Sequence, residues 1–167
     1  MSKNSRLKWK ILKLYAKIVR EKADSSYIAR GWAIGMFCGC FFPFGVQLII
    51  SVPAAFIMRG SKIGATLGTF ITNHFTIFII YPAQCYVGNL LIGGSLSWAM
   101  VKAAMESVLR EQSFSSLWAL GTQLVAAFFI GGALLAAVMT PLTYIFVKRF
   151  VEKLRNRKKS LKQKKLT

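Results

Sequence analysis

Few side chains in this 167-residue sequence can do chemistry. Its five acidic residues are Glu21, Asp24, Glu106, Glu111 and Glu152, and none lies in the three long apolar blocks. Those blocks therefore hold no carboxylate pair for acid–base work or for a hard cation. His74 is the only histidine. An unperturbed pKa near neutrality would let it carry protons, and a hydrogen-bonded structural histidine is the alternative. Cys38, Cys40 and Cys85 sit in apolar runs and read as buried free thiols. A Cys38–Cys40–His74 metal site is poorly supported, because the spacing matches no common zinc pattern and a fourth ligand is missing. Neither a glycine-rich phosphate loop nor a nucleophile elbow is present. The expectation is a protein that is not an enzyme and uses no metal or cofactor.

What remains is a small polar set inside the apolar blocks: Gln47, Ser51, Asn73, His74, Thr76, Gln84 and Asn89. Polar groups without partners are costly in lipid, so these should face protein or water. Gln47, Asn73 and His74 lie beside two interruptions, "GCFFPFGVQ" at 39–47 and "TNHFT" at 72–76. Pro43 cannot donate a backbone hydrogen bond and clashes with the preceding turn. Unpaired backbone at membrane depth is tolerated only inside protein or beside water. A broken helix also exposes N–H groups that attract anions. Arg30 and Arg59, at the ends of the first block, could reach a phosphate by snorkelling. The candidate ligand-binding or break residues are therefore Arg30, Pro43, Gly45, Gln47, Arg59, Asn73, His74 and Thr76. In the alternative reading they only satisfy interrupted backbone, or mark a plain kink.

The elements that must position these residues follow from composition. Apolar residues make up 54% of the chain, yet the formal net charge is +18. The two separate along the sequence. Nine Lys/Arg lie from Lys3 to Arg30 and ten from Lys148 to Lys165, leaving Arg59, Lys62, Lys102 and Arg110 between. A nucleic-acid-binding protein would not carry such long uncharged stretches, whereas a membrane protein with basic flanks would. The apolar blocks run over about 31–58, 63–92 and 115–147. As helices they would be roughly 42 to 50 Å long, too long for one upright crossing of a core about 30 Å thick and too short for two. Each must tilt, run into the interface or break. Basic ends favour the cytoplasmic side, so both termini should be cytoplasmic and the number of crossings even. Hence one block turns back, with Arg59–Lys62 favouring the first, or the third is a hairpin around Gly131-Gly132.

At the N-terminus, Leu7, Ile11, Leu14, Tyr15 and Ile18 recur at helical spacing, with Lys8, Lys13, Lys17 and Arg20 mainly on other faces. This predicts a basic amphipathic helix over 1–29, lying on an anionic membrane surface or packed on the membrane domain. The apolar residues there are too interrupted for a signal-peptide core. Asp24-Ser25-Ser26 offers a break and a new cap. Residues 30–147 form the multi-pass domain, and 148–167 a basic cytoplasmic tail whose "KKSLKQKK" should be disordered. Within 94–114 an interfacial or soluble helix is expected, with Trp98, Met100, Val101, Ala104, Met105 and Val108 on one side.

The first two blocks also resemble each other. Glycines fall at every fourth position in "GWAIGMFCG" (Gly31, Gly35, Gly39) and in "GSKIGATLG" (Gly60, Gly64, Gly68). Such rows give a helix a smooth face for close packing. A shift of 33 residues aligns Gly31 with Gly64, Gly35 with Gly68, and Pro43 with Thr76. Paired interrupted segments of this kind point to a binding site in transporters.

These residues carry a family resemblance. "IARGWAIGMFCGCFFPFGVQ" and "GTFITNHFT" resemble the prokaryotic, multi-pass membrane family called domain of unknown function 2062. Its members show Ala-x-Gly-x-Ala-x-Gly, then Phe-x-Pro-x-x-Gly-x-Gln, then Asn-Pro-Leu/Phe-Thr. Ala29, Gly31, Ala33 and Gly35 match the first, and Phe41, Pro43 and Gln47 the second, with Gly45, and Gln47 after it, one place early. Asn73, Phe75 and Thr76 match the third, where His74 replaces the usual proline. Some members resemble fusions to glycosyltransferases, which implies a link to envelope lipids or polyprenyl-phosphate carriers.

The fold expected is an all-α integral membrane protein of the bacterial cytoplasmic membrane, with two broken or re-entrant segments. The expected function is transport or handling of an anionic envelope lipid, such as a polyprenyl phosphate. The alternatives are a scaffold that recruits an envelope-synthesis enzyme, with a glycosyltransferase or a second copy as partner, and a small channel. Anionic lipids should meet the basic termini, and no nucleic-acid partner is expected.

Overall fold

A computed structural model describes residues 24–43, 45–72, 76–111 and 121–163. The amphipathic helix expected at the N-terminus falls almost wholly on 1–23, outside the described residues. Among the described residues there are six helices and no strand: α1 (Ser25–Phe41), α2 (Val46–Ile57), α3 (Lys62–Thr69), α4 (Ile77–Leu91), α5 (Trp98–Glu111) and α6 (Thr122–Gln163). One of them, α6, is long and apolar enough to cross a membrane.

Both of the first two blocks break, and they break differently. α1 ends where Phe42 turns extended (φ −97°, ψ 147°), as a residue before proline prefers. Gly45 then takes φ 96°, ψ −52° and starts α2. Pro53, Pro82 and Pro141 lie inside helices that continue through them. The break at Pro43 thus needs the nearby positive-φ glycine as well as the proline. α2 returns along α1: Gln47 bonds to Thr72, which lies beside Gly39, and Gly60 lies against Gly31 at the other end. The first block is therefore a hairpin. The second block keeps its direction. α3 runs parallel to α1, with Ser61 against Gly31, Ala65 against Gly35 and Thr72 against Gly39. After the interruption that separates it from α3, α4 goes on beyond the end of α1.

From Thr122 onward the third block is one continuous helix, and this overturns the hairpin around Gly131-Gly132. α6 spans 42 residues, about 63 Å at 1.5 Å per residue. Its first part runs antiparallel to α4, with Asn89 bonded to Gln123 and Gln84 to Phe128. Past Gly132 it runs antiparallel to α1, from Cys40 down to Ser25, whose hydroxyl donates to Glu152 Oε1 at 3.0 Å. The start of α1 and the basic part of α6 therefore share one end of the fold. The helix also continues to Gln163 through most of the stretch expected to be disordered. Once nucleated in the apolar part, propagation costs little per residue, and Lys, Arg, Leu and Gln are good helix formers.

α5 occupies the predicted link but buries a narrower face. Val101 and Met105 enter the core with Ile77, Tyr81, Cys85 and Phe128. Trp98 and Met100 stay exposed, Trp98 resting edge-on against Tyr86. Lys102 and Glu106 pair at the surface, 3.8 Å apart.

Close backbone contact, not bulk apolar packing, joins α1 to α3. A side chain at Gly35 would strike the carbonyl of Ala65, one at Gly31 that of Ser61, and one at Gly68 that of Trp32. The hydrogen in each place points at a carbonyl oxygen, an arrangement worth about 0.5–1 kcal/mol per contact. An eight-residue helix with two internal glycines is far below the length that is stable alone. Packing on α1 and the cap from Ser61, which accepts the Gly64 N–H at 3.1 Å, hold α3 in place. Gly35→Ala should therefore destabilise the fold by about 1–3 kcal/mol. Gly45→Ala meets no atom within 4 Å but should lose roughly 1–3 kcal/mol to backbone strain. Ile49→Ala, at an exposed position, should stay within about 0.5 kcal/mol of wild type. Unfolding in mixed micelles followed by circular dichroism measures all three, and a Gly35→Ala protein as stable as wild type would contradict the packing account.

Candidate functional site

The two interruptions meet. Gln47, in the first turn of α2, and Thr72, just past α3, are both almost fully buried. Gln47 Nε2 donates to the Thr72 carbonyl at 3.3 Å. The Thr72 hydroxyl lies 3.1 Å from Gln47 Oε1 and 3.0 Å from the Thr69 carbonyl. Its single proton serves one of those acceptors at a time. Thr72 fits because Gly39 has no side chain; a Cβ there would stand 2.6 Å from the Thr72 hydroxyl. The last glycine of the α1 row thus makes the room in which the two breaks are joined.

A second link uses α4. The Tyr81 hydroxyl donates to the Phe42 carbonyl at 3.3 Å, satisfying backbone freed by the Pro43 break. Aromatic rings close around it. Phe41 packs on Phe42 and Phe129, Phe129 on Phe128, and Phe128 on Tyr81, with centroids 5.0–5.5 Å apart. Below lies Gln84. Its Nε2 donates to the Phe128 carbonyl at 2.9 Å, while its buried Oε1 has no partner among the described residues. Gly131 and Gly132 let α6 approach here: a Cβ on Gly131 would strike the Gln84 carbonyl, and one on Gly132 would crowd Gln84 Nε2 and the Cys40 carbonyl. The junction therefore gathers the end of α1, the start of α2, the end of α3, α4 and the crossing of α6.

Of the candidate residues, Pro43, Gly45, Gln47 and Thr76 lie at the breaks, where the Thr76 hydroxyl donates to the Ile71 carbonyl at 2.7 Å. Asn73 and His74 lie outside the described residues. Arg30 and Arg59 are elsewhere. Both are exposed at the opposite end of α1, about 18 Å from Phe42 by helix rise. Arg59 takes φ 52° and ends α2 in a Schellman motif, with Gly60 N bonded to Ala55 O and Arg59 N to Phe56 O. α4 ends the same way at Gly93-Gly94, with bonds to Asn89 and Leu90. The helix–break–helix units thus share an ending as well as a glycine row.

The glycine rows pack within this one chain: Gly31 lies against Gly60 and Gly35 against Gly68, while Gly39 meets Thr72 and Gly64 meets Trp32. Thr72, Tyr81 and Gln84 complete the junction without having been among the candidates. Thr72 was visible as the first residue of "TNHFT", and Gln84 as an isolated polar residue in an apolar block. Nothing in the local sequence separates Tyr81 from an ordinary core aromatic.

A family model described as an uncharacterized protein conserved in bacteria (DUF2062) matches residues 9–160, and the chain belongs to that family. No curated protein and no solved structure matches it.

If Gln47 and Thr72 act as one unit, their substitutions will not add. Gln47→Leu and Thr72→Val should each destabilise by about 1–3 kcal/mol. Unfolding of the double variant should show a coupling of about 0.5–3 kcal/mol, and strict additivity would contradict the pairing.

Proposed function

We propose that this chain is a multi-pass protein of the bacterial cytoplasmic membrane that transports or handles an anionic envelope lipid, a polyprenyl phosphate being one such lipid. In this reading α3–α4 is one broken crossing and α6 the second. The α1–α2 hairpin enters and leaves from the cytoplasmic side, which keeps both basic ends there.

The observation that carries the proposal is the buried polar junction on α6, which in this reading lies at membrane depth. α6 bears no charge between Thr122 and Lys148. Gly132, at the junction, stands about 15 Å along the helix from the first and about 24 Å from the second. Interrupted backbone at such depth is tolerated only inside protein or beside water, and recurs where transporters bind substrate. The outward faces of α2, α4 and α6 support the setting, with Ile49, Ile57, Ile79 and Phe146 each at least 70% exposed. An anionic substrate suits a chain of net charge +18 with no acidic residue in its apolar blocks.

The scaffold reading is favoured by one feature: Gln47, Thr72 and Tyr81 are hydrogen-bonded within the fold, as purely structural residues would be. A scaffold would have to recruit its enzyme by other surfaces than the glycine rows, which are occupied within the chain.

Purified protein in liposomes carrying labelled phosphatidylglycerol or polyprenyl phosphate decides between them. Transport predicts faster headgroup exposure than in empty liposomes, slowed by Gln47→Ala. Exposure no faster than in empty liposomes, for every anionic lipid tried, would remove the transport reading.

A further inference from the structure

Between α1 and the C-terminal half of α6 runs an apolar groove of about 530 Å³, walled by Trp32, Met36, Ile71, Met139, Phe146 and Phe150. It reaches from Ile71, beside the second break, to Phe150 near the basic end. The volume lies within the roughly 300–1,000 Å³ usual for small-molecule sites. The groove does not stop at a neutral rim. Phe146, Phe150, Lys153 and Arg157 follow one another at four- and three-residue steps, which keeps them on one helix face. A shallow depression lined by Arg149, Glu152, Lys153, Asn156 and Arg157 takes over where the groove ends. Three cations face one carboxylate there, and that carboxylate already accepts the Ser25 hydroxyl at 3.0 Å. Apolar wall and basic dish are thus continuous along α6.

We propose that this groove is a binding site for one anionic lipid, its hydrocarbon chain lying between Trp32 and the stacked rings of Phe146 and Phe150, and its phosphate held by Arg149, Lys153 and Arg157. The rings of Phe146 and Phe150 are nearly parallel, at 8°, with centroids 6.2 Å apart, and both line the groove along which an extended chain would lie. Charge complementarity selects the occupant. The N-terminal segment, with eight Lys/Arg from Lys3 to Lys22, would add positive charge to a dish that is already positive, and so would a second copy. An anionic headgroup neutralises it. The proposal rests on the anionic-lipid reading above and names where such a lipid sits.

Fluorescence of Trp32 tests it. The full chain with Trp9, Trp98 and Trp118 changed to Phe is reconstituted in vesicles containing brominated phosphatidylglycerol or brominated phosphatidylcholine. Stronger quenching by the glycerol lipid is expected, with the preference falling about fivefold for each of Lys153→Gln and Arg157→Gln, the equivalent of about 1 kcal/mol per basic residue. Unchanged quenching by the choline lipid shows that these variants keep the fold. Equal quenching by the two lipids overturns the site, as does quenching by neither, which would mean that protein fills the groove. The liposome assay keeps the two ideas apart. Transport without selective quenching discards this site alone, and selective quenching without transport discards transport alone.

Discussion

The close approach of α1 and α3 is the constraint on which the rest depends. Gly31 and Gly35 meet Ser61 and Ala65 with backbone against backbone, and Gly39 meets the Thr72 hydroxyl. Glycine inside a helix costs up to about 1 kcal/mol relative to alanine, so both helices are intrinsically poor. What offsets that cost is contact that no larger residue permits. The geometry then sets the register of everything after it. Because Gly39 leaves a gap, Thr72 can enter it; because Thr72 is there, Gln47 has a partner for both ends of its amide.

α6 uses the same device in the other half of the fold. A side chain at Gly88 would strike the Ala127 carbonyl, and one at Gly131 the Gln84 carbonyl. α4 is thereby seated on the first part of α6 and α1 on the later part, with Gly132 where they meet. A long continuous helix thus aligns two short, interrupted units end to end. The polar groups released by the breaks are gathered at that meeting point, inside a shell of aromatic rings. Asn89 does similar work farther out, bonding to the Gly94 and Leu96 carbonyls and accepting from Gln123.

Much of this was legible in the sequence, for identifiable reasons. Pro43 disfavours helix at the residue before it and removes a donor, and Gly45 can take a positive φ, so the first break could be placed from residue types alone. The glycine spacing announced two close-packing faces, and the 33-residue shift paired them. What spacing cannot express is which face meets which, nor that α1–α2 doubles back while α3–α4 runs straight on. Those depend on contacts distant in sequence, such as Tyr81 with Phe42. Gly131-Gly132 misled as a possible turn because two adjacent glycines look the same whether they bend a chain or admit a neighbour. Snorkelling from the ends of the first block does not bring Arg30 and Arg59 to the breaks, because a helix places its two ends far apart. The candidate site was thus legible in its polar members at the breaks, and illegible in its aromatic surroundings.

The central claim is that the two breaks form one junction. It is tested most directly by paired cysteines at Gln47 and Thr72, in a chain whose Cys38, Cys40 and Cys85 are replaced. A short thiol-reactive linker applied to the intact protein in membranes should join the pair, as it should join a control pair at Met36 and Ala136, which pack together in one cluster. Cross-linking of the control with none between 47 and 72 would contradict the account.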